Sequence, residues 1–180
     1  FIRAIEHGAR QIVLGLGGSA TTDGGSGLLR ALGARFLDAD GAELPHGGGA
    51  LADLARVDLS GLDHRLAQVH LTIASDVTNP LLGEHGAAAV YGPQKGLRPS
   101  EFQEAERNLS RLAAEVDQFV VPPLGGSGRL KPELRTCPGA GAAGGLGFGL
   151  MTFLGAKAEP GFELFARFAT LEKHLRTADV

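Results

Sequence analysis

The sequence predicts an α/β fold: a mixed α/β lobe with a parallel or mixed sheet and flanking helices. Three observations carry this. The segments 11–16 and 69–76 read as short apolar strands, the second alternating Val69, Leu71 and Ile73. The stretch 100–119 places Phe102, Ala105, Leu109, Leu112, Ala113, Val116 and Phe119 on one helical face. Strand-like and helix-like segments alternate along the chain, but a hairpin and long loops interrupt them, which argues against a pure doubly wound sheet.

In chain order, residues 2–9 read as a helix with Ile2, Ile5 and Ala9 on one face. "QIVLGL" (11–16) is the first strand. A glycine-rich loop runs to about residue 25, and "GLLRALG" is a short helix closed by Gly33. In "ARFLDADGAEL", Asp40-Gly41 between two short alternating runs predicts a hairpin. "HGGGALADLARV" reads as loop with one helical turn. The strand in "AQVHLTIASDV" ends at Asp76. The helix after residue 99 is expected to start with Ser100 as cap and Gln103 three residues on, a capping box. "VVPPLGGSGRLKPELRTCPGAG" has no periodicity and reads as a mobile Pro/Gly-rich connection. A glycine-rich helix and a second helix from about Phe162 follow.

Composition narrows the function classes. Charged residues make up 21% and hydrophobic ones 43% of the 180, a globular balance. The net charge of −3 argues against nucleic acid or an anionic membrane as the main partner. A single cysteine, Cys137, excludes an internal disulfide framework and fits a reducing compartment. The six histidines are scattered and form no zinc pattern. Residues 138–156 carry no charge, but seven of the nineteen are glycine, so a membrane span, which needs about 20 strongly apolar residues, is not expected. There is no initiator methionine, and the first residues lie inside a helix, so a piece of a longer protein is expected.

The 28 glycines concentrate at 15–27, 47–49 and 139–149. Gly15 to Ala20 reads G-x-G-x-x-A after a strand, with Asp38 following, so an NAD-binding Rossmann-like oxidoreductase lobe is one reading. Against it stand the glycines after Asp23, which suit no helix interior, and the hairpin that holds Asp38. No G-x-x-x-x-G-K-[ST] loop exists. The successive glycines still allow backbone N–H groups to converge on an anion, and Ser19, Thr21 and Thr22 add hydroxyls. Asp23 can cap the next helix or face a metal. In "SDVTNP", Asp76 ends the best strand with Asn79 three residues on, either a ligand-orienting carboxylate or an Asx-type turn. In "YGPQKG", Gln94 and Lys95 sit on a glycine-flanked turn; Lys95 is one of only four lysines, and its compact ammonium suits a phosphate oxygen.

Taken together, "GLGGSATTDGGSGLLRALGARFLDADG", "DVTNPLLGEHGAAAVYGPQKG" and "PGAGAAGGLGFGL", in this order and spacing, resemble the bacterial glycerate kinases. The resemblance implies a cytoplasmic enzyme that moves the γ-phosphoryl group of ATP, with Mg²⁺, to a hydroxyl of D-glycerate, 2-phosphoglycerate being the favoured product. It implies two lobes, one flavodoxin-like, with this chain mainly the inserted mixed lobe. Residues 1–10 would then continue from a preceding segment, 11–155 form the central lobe, and 156–180 return as helix toward the other lobe. The matching positions are Gly17, Gly18, Ser19 and Asp23 in the first loop, Asp76 and Asn79 in the second, and Gln94 and Lys95 in the third. On this reading Asp76, Lys95 and Asp23 are the catalytic candidates, with Asp76 also a candidate Mg²⁺ ligand. Gly17, Gly18, Ser19, Thr21, Asn79 and Gln94 are candidates for binding substrate or phosphate. A small-molecule-binding lobe without catalysis is a further alternative.

Overall fold

The computed structural model describes residues 1–116 and 132–178. A short helix, α1 (Ile2–Glu6), buries Ile5 and leads into strand β1 (Gln11–Gly15). The glycine-rich loop follows, then α2 (Ser26–Ala31). β2 (Arg35–Leu37) pairs antiparallel with β3 (Arg56–Asp58), with Phe36 opposite Val57. β4 (His70–Ala74) buries Leu71 and Ile73 and leaves the alternate residues half-buried or exposed, the period of two that the sequence shows. After it come α3 (Ala87–Tyr91) and the amphipathic α4 (Phe102–Val116), which buries Leu109, Leu112, Ala113 and Val116. The chain closes with α5 (Ala142–Leu154), β5 (Lys157–Glu159), α6 (Gly161–Phe168) and α7 (Leu171–Leu175).

β1, β4 and β5 form a parallel three-stranded sheet in that order, so the expected mixed α/β lobe is what the chain forms. Parallel neighbours cannot be joined by a tight turn. The crossover from β1 to β4 holds α2, the β2–β3 pair and two 3₁₀ segments. The register Gln11↔His70 to Gly15↔Ala74 makes the two strands finish side by side. The loops that leave them therefore share one end of the sheet, where ligands gather in such folds.

α5 forms the centre of the core. It carries no charge and is buried on nearly every side, as a helix apolar all round must be. Its first turn is irregular: Ala143, Gly144 and Gly145 are left-handed, with φ of 55°, 71° and 88°, and regular helix starts at Leu146. A Cβ on Gly144 would run into the Thr21 carbonyl, and one on Gly149 into that of Gly24. The two main glycine clusters of the sequence are therefore pressed against each other.

Several expectations are corrected. The turn at Asp38–Ala42 exists, with the Asp38 carboxylate accepting from the N–H groups of Asp40 and Ala42. Its second arm, however, is a lone bridge, Leu37↔Glu43, and the ladder partner of β2 is β3, read as loop from sequence. β4 ends at Ala74, two residues before Asp76. The start of α4 is set by Glu101, whose carboxylate accepts from the Arg98 N–H at 2.8 Å through a 3₁₀ turn at Pro99–Glu101, and not by Ser100 with Gln103. β5 was not foreseen; it places residues just beyond the expected boundary at 155 in the same sheet as β1. Phe119 and most of the Pro/Gly-rich connection lie outside the described residues.

Candidate functional site

At the carboxyl ends of β1 and β4 lies a cleft of about 380 Å³. Three sequence-distant segments form most of its wall. The loop after β1 contributes Leu16, Gly17, Gly18 and Ser19; the loop after β4 contributes Ser75, Asp76 and Val77; α3 and the turn after it contribute Tyr91, Gln94 and Lys95. Ala142 and Ala143, in the irregular first turn of α5, close the back.

The glycines of the first loop divide into two kinds. Gly24, beyond the cleft, is packed so closely that a Cβ would strike Leu112. Gly17 and Gly18 have nothing within 4 Å of where a Cβ would stand, and Gly18 has φ +69°. Packing therefore does not explain them. They leave the backbone bare toward the cleft, the arrangement that lets a ligand oxygen approach main-chain N–H groups.

Lys95 reaches across to this loop. Its Nζ donates to Ser19 Oγ at 2.9 Å and to the Thr21 carbonyl at 2.6 Å. Burial pushes its pKa below the ordinary 10.5, partly offset by the negative charge of Asp23. Thr21 thus enters through its carbonyl rather than its hydroxyl, and its side chain is not part of the cleft wall. Asp76, on the loop after β4, is exposed, and its Oδ1 accepts from the N–H groups of Gly161 at 2.8 Å and Phe162 at 3.4 Å. The carboxylate both lines the cleft and caps the N-terminus of α6. Gln94 is exposed on the cleft wall.

Two candidates are turned away from the cleft. Asp23 is buried, and its two carboxylate oxygens accept from the N–H groups of Gly25 and Gly27, each at 3.0 Å. It caps α2 and reaches the cleft only through its field on Lys95. The side chain of Asn79 is occupied at both ends: Nδ2 donates to the His85 carbonyl at 2.8 Å, and Oδ1 accepts from Tyr91 Oη at 2.5 Å. Its own carbonyl accepts from the Gly141 N–H at 2.9 Å. Asn79 thereby ties together the three segments that end in Asp76, Lys95 and Ala142. Tyr91 itself was missed, although the sequence held a signal: the only tyrosine stands three and four residues before Gln94 and Lys95. Burial raises its pKa, which keeps the phenol protonated.

The family model described as the glycerate kinase family matches residues 1–180. The chain belongs to that family. It is 44% identical over 174 residues to the glycerate 2-kinase of Escherichia coli (strain K12), covering 97% of this chain and 43% of that protein. It is 45% identical over 178 residues to a glycerate kinase of Halalkalibacterium halodurans, covering 99% of this chain and 44% of the relative. A crystal structure assigned to glycerate kinase 2 of Salmonella typhimurium LT2 superposes with a TM-score of 0.86 at 41% identity, covering 99% of this chain and 45% of that one. The chain thus spans less than half the length of the relatives it matches. Membership in the glycerate kinase family sets aside the dinucleotide reading, and the fold agrees. α2 starts only at Ser26, β2 is antiparallel to its neighbour, and the Asp38 carboxylate is used inside its own turn.

Proposed function

We propose that the protein carrying this chain transfers the γ-phosphoryl group of ATP to a hydroxyl of D-glycerate, giving 2-phosphoglycerate. The observation that carries the reading is the convergence of the bare Gly17–Gly18 backbone, the Lys95 ammonium and the Asp76 carboxylate on one cleft. Phosphoryl transfer needs little covalent help from the protein; it needs positioning and neutralised charge. Lys95 and the loop N–H groups supply donors for anionic oxygens. Asp76 supplies an acceptor that can orient the attacking hydroxyl and take its proton. Family membership and the names of the relatives support the substrate pair, and the E. coli relative, a glycerate 2-kinase, supports the position.

A magnesium ion fits this donor set in one way. Among the described residues no three Asp, Glu, His or Cys side chains gather as a cage. Mg²⁺ would be held by the Asp76 carboxylate together with nucleotide phosphate oxygens and water, its usual company beside nucleotides. When bound it would neutralise charge on those phosphates. Residues 156–180 would lead into the remainder of the protein, which completes the nucleotide site. Among the described residues no helix is long and apolar enough to cross a membrane.

The test is a coupled ADP-release assay on the complete protein with Mg-ATP and D-glycerate, followed by phosphorus NMR of the product. Turnover with the 2-phosphate as product is expected. Absence of D-glycerate-dependent ADP release refutes the reading, and a 3-phosphate product corrects the position.

A further inference from the structure

The hydrogen-bond polarity around Tyr91 is fixed by its neighbours. The His85 carbonyl can only accept, so the Asn79 amide must present Nδ2 to it and Oδ1 to Tyr91. Oδ1 in turn can only accept, so the proton of the Tyr91 hydroxyl is committed to Asn79. The phenol is half-buried and stays neutral, because burial raises its pKa. What remains on its oxygen is acceptor capacity. Tyr91 lines the same cleft as Asp76, Gln94 and Lys95.

We propose that Tyr91 reads a substrate hydroxyl: with its own proton held by Asn79, its oxygen accepts a hydrogen bond from one O–H of the acceptor substrate and selects for a hydroxylated acid. The inference rests on the proposed glycerate kinase reading and deepens it. It sorts the groups on the cleft wall by chemistry into donors, Lys95 and the Gly17–Ser19 loop, and acceptors, Asp76 and Tyr91. A three-carbon acid with two hydroxyls matches both sets: its carboxylate needs donors and its hydroxyls need acceptors. An anion without a hydroxyl gains nothing from the acceptors and meets the Asp76 charge.

The experiment compares the complete wild-type protein with Tyr91→Phe. Coupled ADP release gives KM and kcat for D-glycerate. D-lactate, which lacks the 3-hydroxyl, and 3-hydroxypropionate, which lacks the 2-hydroxyl, serve as competitors, their inhibition read from phosphoglycerate formation so that ADP released by phosphorylation of an analogue is not counted. Tyr91→Phe should raise KM for D-glycerate about tenfold, the effect of one lost hydrogen bond, with kcat changed much less. It should weaken only the inhibitor that retains the hydroxyl Tyr91 reads. An unchanged KM overturns the inference, and so does equal weakening of both inhibitors, which is what a merely loosened wall would give. Should Tyr91→Phe fail to fold or an inhibitor bind too weakly, ring-labelled tyrosine NMR of the wild type decides. The Tyr91 signal, assigned through Asn79→Ala, should shift with D-glycerate and not with acetate; no shift, or the same shift with acetate, overturns it. A wild type without glycerate-dependent ADP release refutes the kinase reading itself, whereas an active wild type with an unaltered variant refutes only the role of Tyr91.

Discussion

Lys95 and Asp76 both line the cleft, and each also holds a piece of structure. Substituting them must therefore separate charge from scaffold. Asp76→Asn keeps an oxygen able to accept from the Gly161 N–H while removing the negative charge. Its kcat is expected to fall by about 10² to 10⁴ with the melting temperature nearly unchanged. Asp76→Ala should add a loss of about 1 kcal/mol from the uncapped α6, measured by urea denaturation. For Lys95 the sign of the pH effect follows from its environment. Burial disfavours the ammonium, so in the folded protein the proton leaves below pH 10.5. The alkaline limb of kcat/KM should fall below that value, and Lys95→Arg should move the limb upward, because a guanidinium stays charged. In the window just below pH 10.5 the unfolded chain binds more protons here than the folded one, so the contribution of this group to stability rises with pH. The place of Lys95 and Asp76 on the cleft wall was legible in the sequence, Lys95 as one of four lysines on a glycine-flanked turn and Asp76 as the residue closing the clearest strand pattern. The engaged state of Asn79 and Asp23 was not, since an Asx side chain reads alike whether it meets a ligand or a neighbouring N–H.

The helices and strands show where packing decides and where local chemistry does. α4 was visible because its apolar spacing is regular over four turns, and β4 because its alternation is clean. β3 and β5, each three residues, have too few positions to show a period. α3 is bracketed by Gly86 and Gly92, which hide its helical character. The glycines of α5 suggested close contact but could not name the partner, because the contact is with a loop more than a hundred residues earlier. That contact makes a clear forecast. Gly149→Ala puts a methyl into the Gly24 carbonyl and should lower stability by about 1–3 kcal/mol in denaturant unfolding. Gly155→Ala meets open space, but at φ +66° the left-handed backbone itself strains an alanine by about 1–2 kcal/mol, a loss with no clash behind it.

For the molecule as a whole, more than half of each relative lies outside the matched segment. The surface is consistent with a larger body. Phe162, Phe165, Phe168 and Leu175 are 60–66% exposed on α6 and α7, and Val13 on β1 is 44% exposed. An apolar stripe of this kind is rarely left to water. The 180-residue chain prepared alone is expected to bind a hydrophobic dye such as ANS more strongly, per mole, than the complete protein, and to show no glycerate-dependent ADP release. Equal dye binding by the two would mean that the stripe stays open in the complete protein. The sheet beneath the cleft carries a consequence of another kind, in time rather than space. Its strands come from residues 11–15, 70–74 and 157–159, so each pairing closes a long stretch of chain. Such closures come late, after local helices have formed. Pulsed hydrogen exchange during refolding should find the amides of α4 protected before those of β1 and β5. The cleft, which exists only where those strand ends meet, would then be the last part of the chain to take shape.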